Sequence, residues 1–233
     1  MTKPRALALG IGVAGAMCAV GAATLSGAAA WLLAWTALSC FVVAWAYAAN
    51  RPEVFGKQED GRVRLANQLL LFPYLTAFQA TCWLIRVVRP LPPVDEVASG
   101  VYVGGRLREA AIPPSVELVI DLVAEFPGAR GVRSRPGYRC LPVLDGHHPR
   151  SLDSFLCRTA EAAAAPGGVL IHCESGIGRA PTAAAVLLVA RGLVPDPASA
   201  VELMAKRRPK IHPTCSDWEF MERAVARLGA SGS

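Results

Sequence analysis

One cysteine in this chain stands in surroundings suited to chemistry. Cys173 ends the apolar segment VLIHC, five residues with two glycines follow it, and Arg179 comes next, ahead of the apolar run APTAAAVLLVA. A strand, a glycine-bearing loop and a helix in this order direct unpaired N–H groups and the positive end of the helix dipole toward one point. Such a point binds anions, and phosphate above all.

The residues between the cysteine and the arginine fit this purpose. Gly176 and Gly178 let the backbone curl with its N–H groups turned inward. The planar guanidinium of Arg179 can hold two phosphate oxygens at once, and the same positive field stabilises a thiolate at Cys173. We therefore predict a nucleophilic cysteine beneath a bound phosphate. The predicted phosphate-binding residues are Glu174, Ser175, Gly176, Ile177, Gly178 and Arg179.

The elements that must position these residues begin near residue 94. Short apolar stretches predict strands in GVYVGG and at residues 116–122, 138–145 and 168–172. The patterns around them predict helices, the first of which is capped by Ser151. This alternation predicts an α/β layer fold of about 140 residues. The predicted helices cover residues 151–165, the stretch after the Cys173 loop to about residue 191, and residues 197–208 and 215–228.

The segment HCESGIGR resembles the H-C-x5-R signature of the cysteine-dependent protein tyrosine phosphatases. GVYVGG, VIDL and LPVLDG precede it in this order, so residues 94–228 are similar to the dual-specificity branch of that family. The resemblance implies an α/β fold with a central sheet flanked by helices. It also implies hydrolysis of phosphomonoesters with no metal ion and no cofactor.

The resemblance assigns roles to single residues. Cys173 would attack phosphorus and form a phosphocysteine, and Arg179 would bind the equatorial oxygens through the transition state. His172 would be neutral and buried, and would order the loop through hydrogen bonds. Asp145 lies just past a predicted strand, 28 residues before Cys173. It matches the family's aspartate, which acts as general acid and then as general base.

Other acidic and imidazole groups nearby have simpler explanations. Asp153 is the alternative acid, but its place at a helix start is explained by capping. Asp121 and Glu125, at and after a strand end, are expected to be structural. His147 and His148 are expected to be exposed loop residues, the alternative being that they line the pocket mouth or tune the acid.

The resemblance is incomplete at one position. Most family members carry serine or threonine directly after the arginine, where the hydroxyl stabilises the leaving thiolate in the second step. This chain has Ala180 and Pro181 there, a sequence also found in the phosphatases of regenerating liver. We predict slow breakdown of the phosphocysteine and a burst before the steady state, unless Thr182 supplies the hydroxyl.

Two uncharged segments near the N-terminus account for much of a hydrophobic content of 53% in 233 residues. Residues 6–25 and 28–50 each match the length that a helix needs to cross a hydrocarbon core of roughly 30 Å. We predict a transmembrane hairpin over residues 1–50. The alternative is a cleaved signal peptide followed by a stop-transfer helix at residues 31–49. The small residues expected to face the second helix are Gly12, Gly15, Ala16 and Gly21.

The basic residues flank these segments. Residues 1–90 contain eight Lys and Arg against three Asp and Glu, whereas residues 91–233 contain sixteen against fifteen. By the positive-inside rule, both flanks and the catalytic domain are predicted to face the cytoplasm, from an inner or plasma membrane. The net charge of +6 therefore gives no reason to expect nucleic-acid binding.

Residues 51–93 are expected to connect the hairpin to a catalytic domain at residues 94–233. They begin with a polar, turn-rich loop, residues 51–64, and end in a short proline-rich linker. Residues 65–88 are apolar but interrupted by polar side chains. We predict an interfacial or re-entrant helix that lays the catalytic domain on the membrane surface. A third complete span is the alternative, and it would place the catalytic domain outside.

Three functions remain open at this level. The first is a phosphatase of phosphotyrosine or phosphoserine/threonine in proteins near the membrane. The second is a phosphatase of a lipid phosphomonoester, such as a phosphoinositide or phosphatidylglycerophosphate, although Glu174 and a loop without internal basic residues argue against multiply phosphorylated lipids. The third is a module that traps phosphorylated partners with little turnover. The basic run at residues 206–210 is expected to be a solvated helix end, the alternative being contact with acidic lipid or substrate.

Overall fold

Five strands form one mixed sheet in the computed structural model, which describes residues 3–88 and 90–231. An antiparallel hairpin of β1 (Val94–Ala98) and β2 (Val101–Gly104) lies at one edge. The strands β3 (Val116–Val123), β4 (Tyr138–Val143) and β5 (Gly168–His172) run parallel to β2, in the order β1-β2-β5-β3-β4. Because parallel strands end at the same edge, the ends of β2, β3 and β4 gather around the residue that follows the central β5.

The helices divide between an N-terminal group and the layers around the sheet. Single 3-10 turns also occur at Pro52–Phe55 and Glu109–Ala111. The helices are α1 (Lys3–Thr24), α2 (Gly27–Ala48), α3 (Leu65–Val88), α4 (Arg130–Arg133), α5 (Leu152–Ala164), α6 (Arg179–Ala190), α7 (Pro197–Arg207) and α8 (Cys215–Ser231).

The core lies on both faces of the sheet, because successive side chains of a strand point to opposite faces. Leu118 and Ile120 of β3 pack with α5 to α8 on one face. Val119, between them, packs with Leu170 and Val132 on the other, which α4 and residues 107–112 cover. The predicted α/β fold, with a central sheet flanked by helices, is confirmed.

Local signals in the sequence set several boundaries of these elements. The Ser151 hydroxyl accepts a hydrogen bond from the Ser154 N–H at 3.1 Å and caps α5 as predicted. The strand expected to run to Asp145 ends at Val143, so Leu144 and Asp145 already belong to the loop that follows. We call residues 144–151 the acid loop.

The helices α1 and α2 form the predicted hairpin. A Cβ added to Gly15 would lie 3.0 Å from Cys40 Cβ, and one added to Gly21 would lie 3.0 Å from Leu33 Cδ1. The small residues therefore do allow the two helices to approach closely. Each of α1, α2 and α3 is long and apolar enough to cross a membrane, by length and composition.

The open end of this hairpin packs on the sheet domain. Ala8 near the start of α1 and Tyr47 near the end of α2 share one apolar cluster with Leu71, Ala124 and Leu144. The hairpin is therefore attached to the sheet domain by packing as well as by sequence.

The segment between α2 and α3 was expected to be a polar loop, but it is packed into the domain. Phe55 is buried, and the Gly61 carbonyl accepts a hydrogen bond from the Gly128 N–H at 3.0 Å. The helix α3 then runs along the domain surface, where Phe78 stacks on Phe126 with ring centroids 5.4 Å apart. Its opposite side is apolar and exposed, with Leu65, Leu69, Phe72, Trp83 and Val87.

Candidate active site

The loop between β5 and α6, residues 173–179, carries the predicted nucleophile at the carboxyl edge of the sheet. Cys173 is buried, and its Sγ accepts a hydrogen bond from the Gly176 N–H at 3.2 Å. Gly176 has φ +71°, and an added Cβ would lie 2.6 Å from the carbonyl carbon of Gly104, so glycine is required there. Gly178 has φ −108° and open space around it, so the conformational need predicted for it is not observed.

We call residues 173–179 the phosphate loop, and Arg208 holds its backbone through hydrogen bonds. Its side chain is buried and donates to the Gly176 carbonyl at 2.8 Å and to the Ser175 carbonyl at 3.3 Å. Asp95 of β1 accepts from the same guanidinium at 2.5 Å. The expectation that residues 206–210 form only a solvated helix end is therefore wrong for Arg208, whereas Lys206 is exposed beside Glu202.

Glu174 lies between two arginines. Arg86, near the end of α3, donates to both its carboxylate and its backbone carbonyl, and Arg106 Nε lies 3.3 Å from Oε2. Burial raises the pKa of Glu174 even though these two guanidinium groups oppose the shift. Because its charge is paired, Glu174 presents less repulsion to an incoming phosphate than the sequence suggests, and it also joins α3 to the phosphate loop.

Glu125 was expected to be structural, yet it contacts the predicted catalytic groups. Its Oε2 lies 3.1 Å from Arg179 Nη1, and its Oε1 accepts from the Asp145 backbone N–H at 2.8 Å. The Tyr47 hydroxyl donates to the same Oε1 at 3.0 Å. One buried carboxylate thus holds the arginine, the start of the acid loop and the end of α2.

Arg179 is fixed by carbonyl oxygens as well as by carboxylates. Its Nη1 donates to the Val143 carbonyl at 2.5 Å, at the end of β4. Burial alone would lower the pKa of Arg179, but Glu125 and Asp145 outweigh it and raise the pKa. The guanidinium is therefore a permanent cation beside Cys173.

Asp145, the predicted general acid, lies beside Arg179. Its side chain is 39% exposed, and its Oδ1 is 3.6 Å from Arg179 Nη2. It lines a cavity of about 460 Å³ together with Gly178, Arg179 and His212. Asp153, the alternative acid, is exposed in the first turn of α5 and does not line this cavity.

Behind the nucleophile, Asp121 is the centre of a buried charge network. Lys57 Nζ lies 2.7 Å from its Oδ2, and the Tyr138 hydroxyl donates to the same oxygen at 2.6 Å. Burial alone would raise the pKa of Asp121, but Lys57 and His172 hold it below its ordinary value.

His172 is buried and burial lowers its pKa, as expected of a neutral histidine. Its Nε2 lies 3.8 Å from Asp121 Oδ1, which is too long for a hydrogen bond. Its expected role in ordering the loop through hydrogen bonds stays a prediction.

The two histidines of the acid loop are half-buried rather than exposed as expected. The His147 ring lies 6.0 Å from the Tyr47 ring, and the His148 ring stacks on Phe220 at 4.7 Å. Burial lowers the pKa of both, so they pack as neutral rings. His147 also lines the catalytic cavity, which agrees with the alternative interpretation.

Ala180 is fully buried at the start of α6, where its side chain offers no hydroxyl. The Thr182 hydroxyl lies 3.0 Å from the Gly178 carbonyl and 3.3 Å from Asp217 Oδ1. Its hydrogen bonds therefore hold α6 to α8 and do not reach Cys173. The prediction of a slow second step is retained.

A second cavity adjoins the catalytic one. It has a volume of about 520 Å³ and lies between the end of α3, the proline-rich linker and the phosphate loop. Ser175, Ile177 and His212 line both cavities. Ile85 and Lys210 line only the second, so Ser175, Ile177 and His212 separate Arg179 from the end of α3.

Sequence reasoning missed Glu125, Arg208, Lys57 and Tyr47. Glu125 offered a weak signal, as a carboxylate directly after the mostly apolar strand segment VIDLVA. The other three offered no signal. Arg208 lies in a basic run expected at a helix end, Lys57 in a segment expected to be a polar loop, and Tyr47 in a helix expected to cross the membrane.

Residues 109–217 match the family model described as Swiss Army Knife protein, DSP-PTPase phosphatase domain. No curated protein matches the chain. The matched range contains Asp145, Cys173 and Arg179.

Several solved structures resemble this one in fold. PTPMT1 in complex with PI(5)P is 18% identical with a TM-score of 0.50, over 60% of this chain and 99% of that one. Human DUSP28 is 21% identical with a TM-score of 0.47, over 60% and 97%. The human tyrosine phosphatase-like serine/threonine/tyrosine-interacting protein is 18% identical with a TM-score of 0.49, over 59% and 98%.

Proposed function

Through residues 109–217 the chain belongs to the cysteine-dependent, dual-specificity type of protein tyrosine phosphatase, and on this premise we propose a membrane-anchored enzyme that hydrolyses phosphomonoesters on phosphoproteins. The chain is a phosphoric monoester hydrolase by family. The observation that carries the finer proposal is that Asp145 and Arg179 line one cavity, whose lining includes Ser175 and Gly178 of the loop that begins at the buried Cys173.

In the first proposed step, Cys173 Sγ attacks phosphorus while the ester oxygen leaves. A sulfur–phosphorus bond forms, the phosphorus–oxygen bond breaks, and Asp145 gives its proton to the leaving oxygen. Arg179, which contacts Glu125 and the Val143 carbonyl, is proposed to bind the equatorial oxygens through the transition state.

In the second proposed step, Asp145 takes a proton from water, which attacks phosphorus. Phosphate forms and the thiolate of Cys173 leaves. The Gly176 N–H, 3.2 Å from Sγ, can stabilise that thiolate, but Ala180 offers no hydroxyl. We therefore expect this step to limit the rate.

The membrane placement is supported by the hairpin and its charges. The open end of the hairpin packs on the catalytic domain, and Arg5 and Arg51 flank that end. Positive flanks favour the cytoplasmic side, so the catalytic domain is proposed to face the cytoplasm.

The contacts of α3 favour an interfacial helix over a third span. Leu71, Phe78 and Arg86 all contact the catalytic domain, and they extend over about 22 Å of helix axis at 1.5 Å per residue. About 14 Å of the 24-residue helix remains, which is too short for a hydrocarbon core of roughly 30 Å. Its exposed apolar side would lie in the membrane surface.

The second cavity favours a second candidate substrate, a monophosphorylated lipid. It adjoins the cavity that Arg179 lines and reaches the end of α3, where a lipid would leave the bilayer. PTPMT1, a neighbour in fold, was solved with PI(5)P.

The proposal is tested with the full chain in lipid nanodiscs. We expect hydrolysis of p-nitrophenyl phosphate that requires reductant, survives a metal chelator and is abolished by Cys173→Ser. Cys157→Ser is the matched control, because Cys157 is exposed on α5 away from the cavity. No turnover by the folded parent would indicate the phosphate-trapping module.

The substrate class is tested separately. Phosphopeptides and vesicles that contain a monophosphorylated lipid are compared by phosphate release. Higher kcat/KM on phosphopeptides supports the protein phosphatase, and higher kcat/KM on the vesicles supports the lipid phosphatase.

A further inference from the structure

Tyr47 is the second-last residue of α2, the helix that closes the membrane hairpin, and yet it reaches the catalytic centre. Its side chain is 1% exposed, and its hydroxyl donates to Glu125 Oε1 at 3.0 Å. Glu125 is itself 1% exposed. A buried carboxylate needs hydrogen-bond donors on its oxygens, because burial has removed the water that would otherwise supply them.

The other donors to Glu125 are parts of the catalytic machinery. Oε1 also accepts from the Asp145 backbone N–H at 2.8 Å, and Oε2 pairs with Arg179 at 3.1 Å. Tyr47 and the Asp145 amide therefore share one oxygen. If the tyrosine hydroxyl were lost, the carboxylate could rotate, and both the start of the acid loop and the guanidinium would shift with it.

The same helix end supports the acid loop at two further points. The Tyr47 ring packs beside the His147 ring at 6.0 Å, and Asn50 Nδ2 donates to the His148 carbonyl at 3.3 Å. Asn50 has φ +48°. This is a left-handed conformation that asparagine tolerates better than most residues.

We propose that Tyr47 is a positioning residue for catalysis, so that the membrane hairpin is part of the active site and does more than anchor it. Tyr47 acts through Glu125 and touches no substrate. Its hydroxyl fixes the carboxylate that sets the place of Asp145 and Arg179. This inference goes beyond the proposed function, but it rests on the role that the proposal gives to Asp145.

The test is Tyr47→Phe in the full chain in nanodiscs, beside Tyr102→Phe as the matched control. Tyr102 is buried in β2 and its hydroxyl bonds Ser115 Oγ at 2.9 Å, so the control also loses one hydrogen bond within the folded domain. For Tyr47→Phe we expect kcat to fall about tenfold, since a hydrogen bond to a charged group is lost, with KM nearly unchanged. The loss should be larger for an alkyl phosphate than for p-nitrophenyl phosphate, because only a poor leaving group depends on a well-placed acid.

A purely structural role for Tyr47 predicts a different result. Both tyrosine variants would then lower the melting temperature and leave kcat unchanged, and this outcome would overturn the inference. Asp145→Asn separates it from the proposed function. If Asp145→Asn shows no dependence on the leaving group, the acid assignment fails. If it does show that dependence while Tyr47→Phe is neutral, only the inference fails.

Asn50→Gly keeps the inference testable if Tyr47→Phe does not fold. Glycine accepts φ +48° without strain, and the substitution removes the hydrogen bond to the His148 carbonyl. We expect a drop in kcat of about two- to fivefold with the same dependence on the leaving group. If Asn50→Gly hydrolyses the alkyl phosphate with the kcat of the parent, the end of α2 does not control the acid loop and the inference is overturned.

Discussion

Replacing Lys57 by methionine should destabilise the sheet domain strongly, although Lys57 lies 116 residues before Cys173. Its Nζ is 2.7 Å from Asp121 Oδ2 and donates to the Val123 carbonyl at 2.5 Å. The two side chains are 0% and 1% exposed. Methionine has a similar length and no charge, so the variant leaves Asp121 buried without its cation.

Removing one partner of a buried ion pair costs about 3–5 kcal/mol. Asp121 retains hydrogen bonds from the Tyr138 hydroxyl at 2.6 Å and from the Val123 N–H at 2.9 Å, so we expect the lower end, about 3 kcal/mol. For a protein of this size that corresponds to a fall in Tm of roughly 6–12 °C. Asp121 has a lowered pKa, so the stability that the ion pair contributes is present above about pH 4 and is lost as the pH falls further. The difference in Tm between Lys57→Met and the parent should therefore become smaller below about pH 4.

The assay is thermal unfolding of the full chain in detergent micelles, followed by circular dichroism. Lys206→Met is the control, because Lys206 and Glu202 form a pair that is 66% and 76% exposed. Such exposed pairs contribute about 0–1 kcal/mol. If Lys57→Met and Lys206→Met unfold at the same Tm, the reasoning is refuted. Residues 51–64 would then not be packed into the domain.

Three further outcomes are expected. Asp145→Asn should lower kcat on an alkyl phosphate by about 100-fold or more, and on p-nitrophenyl phosphate by less, since general acids contribute roughly 10²–10⁴-fold; equal losses in steady-state assays would contradict this. Ala180→Ser should speed the second step and remove the burst in rapid-mixing kinetics, whereas an unchanged burst would assign the slow step elsewhere. His172 and His148 have pKa values lowered from 6.5 by burial, so the unfolded chain binds more protons. The stability that their burial as neutral rings contributes is therefore complete above about pH 6.5 and is lost as the pH falls below it. We expect Tm to fall between pH 7.5 and pH 5.5. A Tm that does not change over this range would show that these rings are not buried as neutral groups.

The chemistry of the phosphate loop could be predicted from sequence because it is local. Cys173, Gly176 and Arg179 lie within seven residues, and the strand before them and the helix after them have clear apolar patterns. The hairpin of α1 and α2 could also be predicted from the sequence, since the length of an apolar segment and the spacing of small residues are properties of the sequence alone.

The supports of the site could not be predicted in this way. Glu125 looked structural because a lone carboxylate after a strand carries no sign of its partners. Arg208 looked like part of a solvated helix end, and only the folded chain shows it bonded to carbonyls of the phosphate loop. His147 and His148 looked exposed because the rings that cover them, Tyr47 and Phe220, are remote in sequence.

The sequence by itself pointed to the predicted nucleophile, arginine and acid, to four of the five strands, β2 to β5, and to the apolar helices. These depend on spacings of a few residues or on the apolar period of one element. Tertiary structure alone decided that Tyr47 bonds Glu125 across 78 residues and that Lys57 bonds Asp121 across 64. The packing of the hairpin and of residues 51–64 against the sheet determines which of these remote residues come into contact. A buried charge must find its counterpart wherever the fold places it.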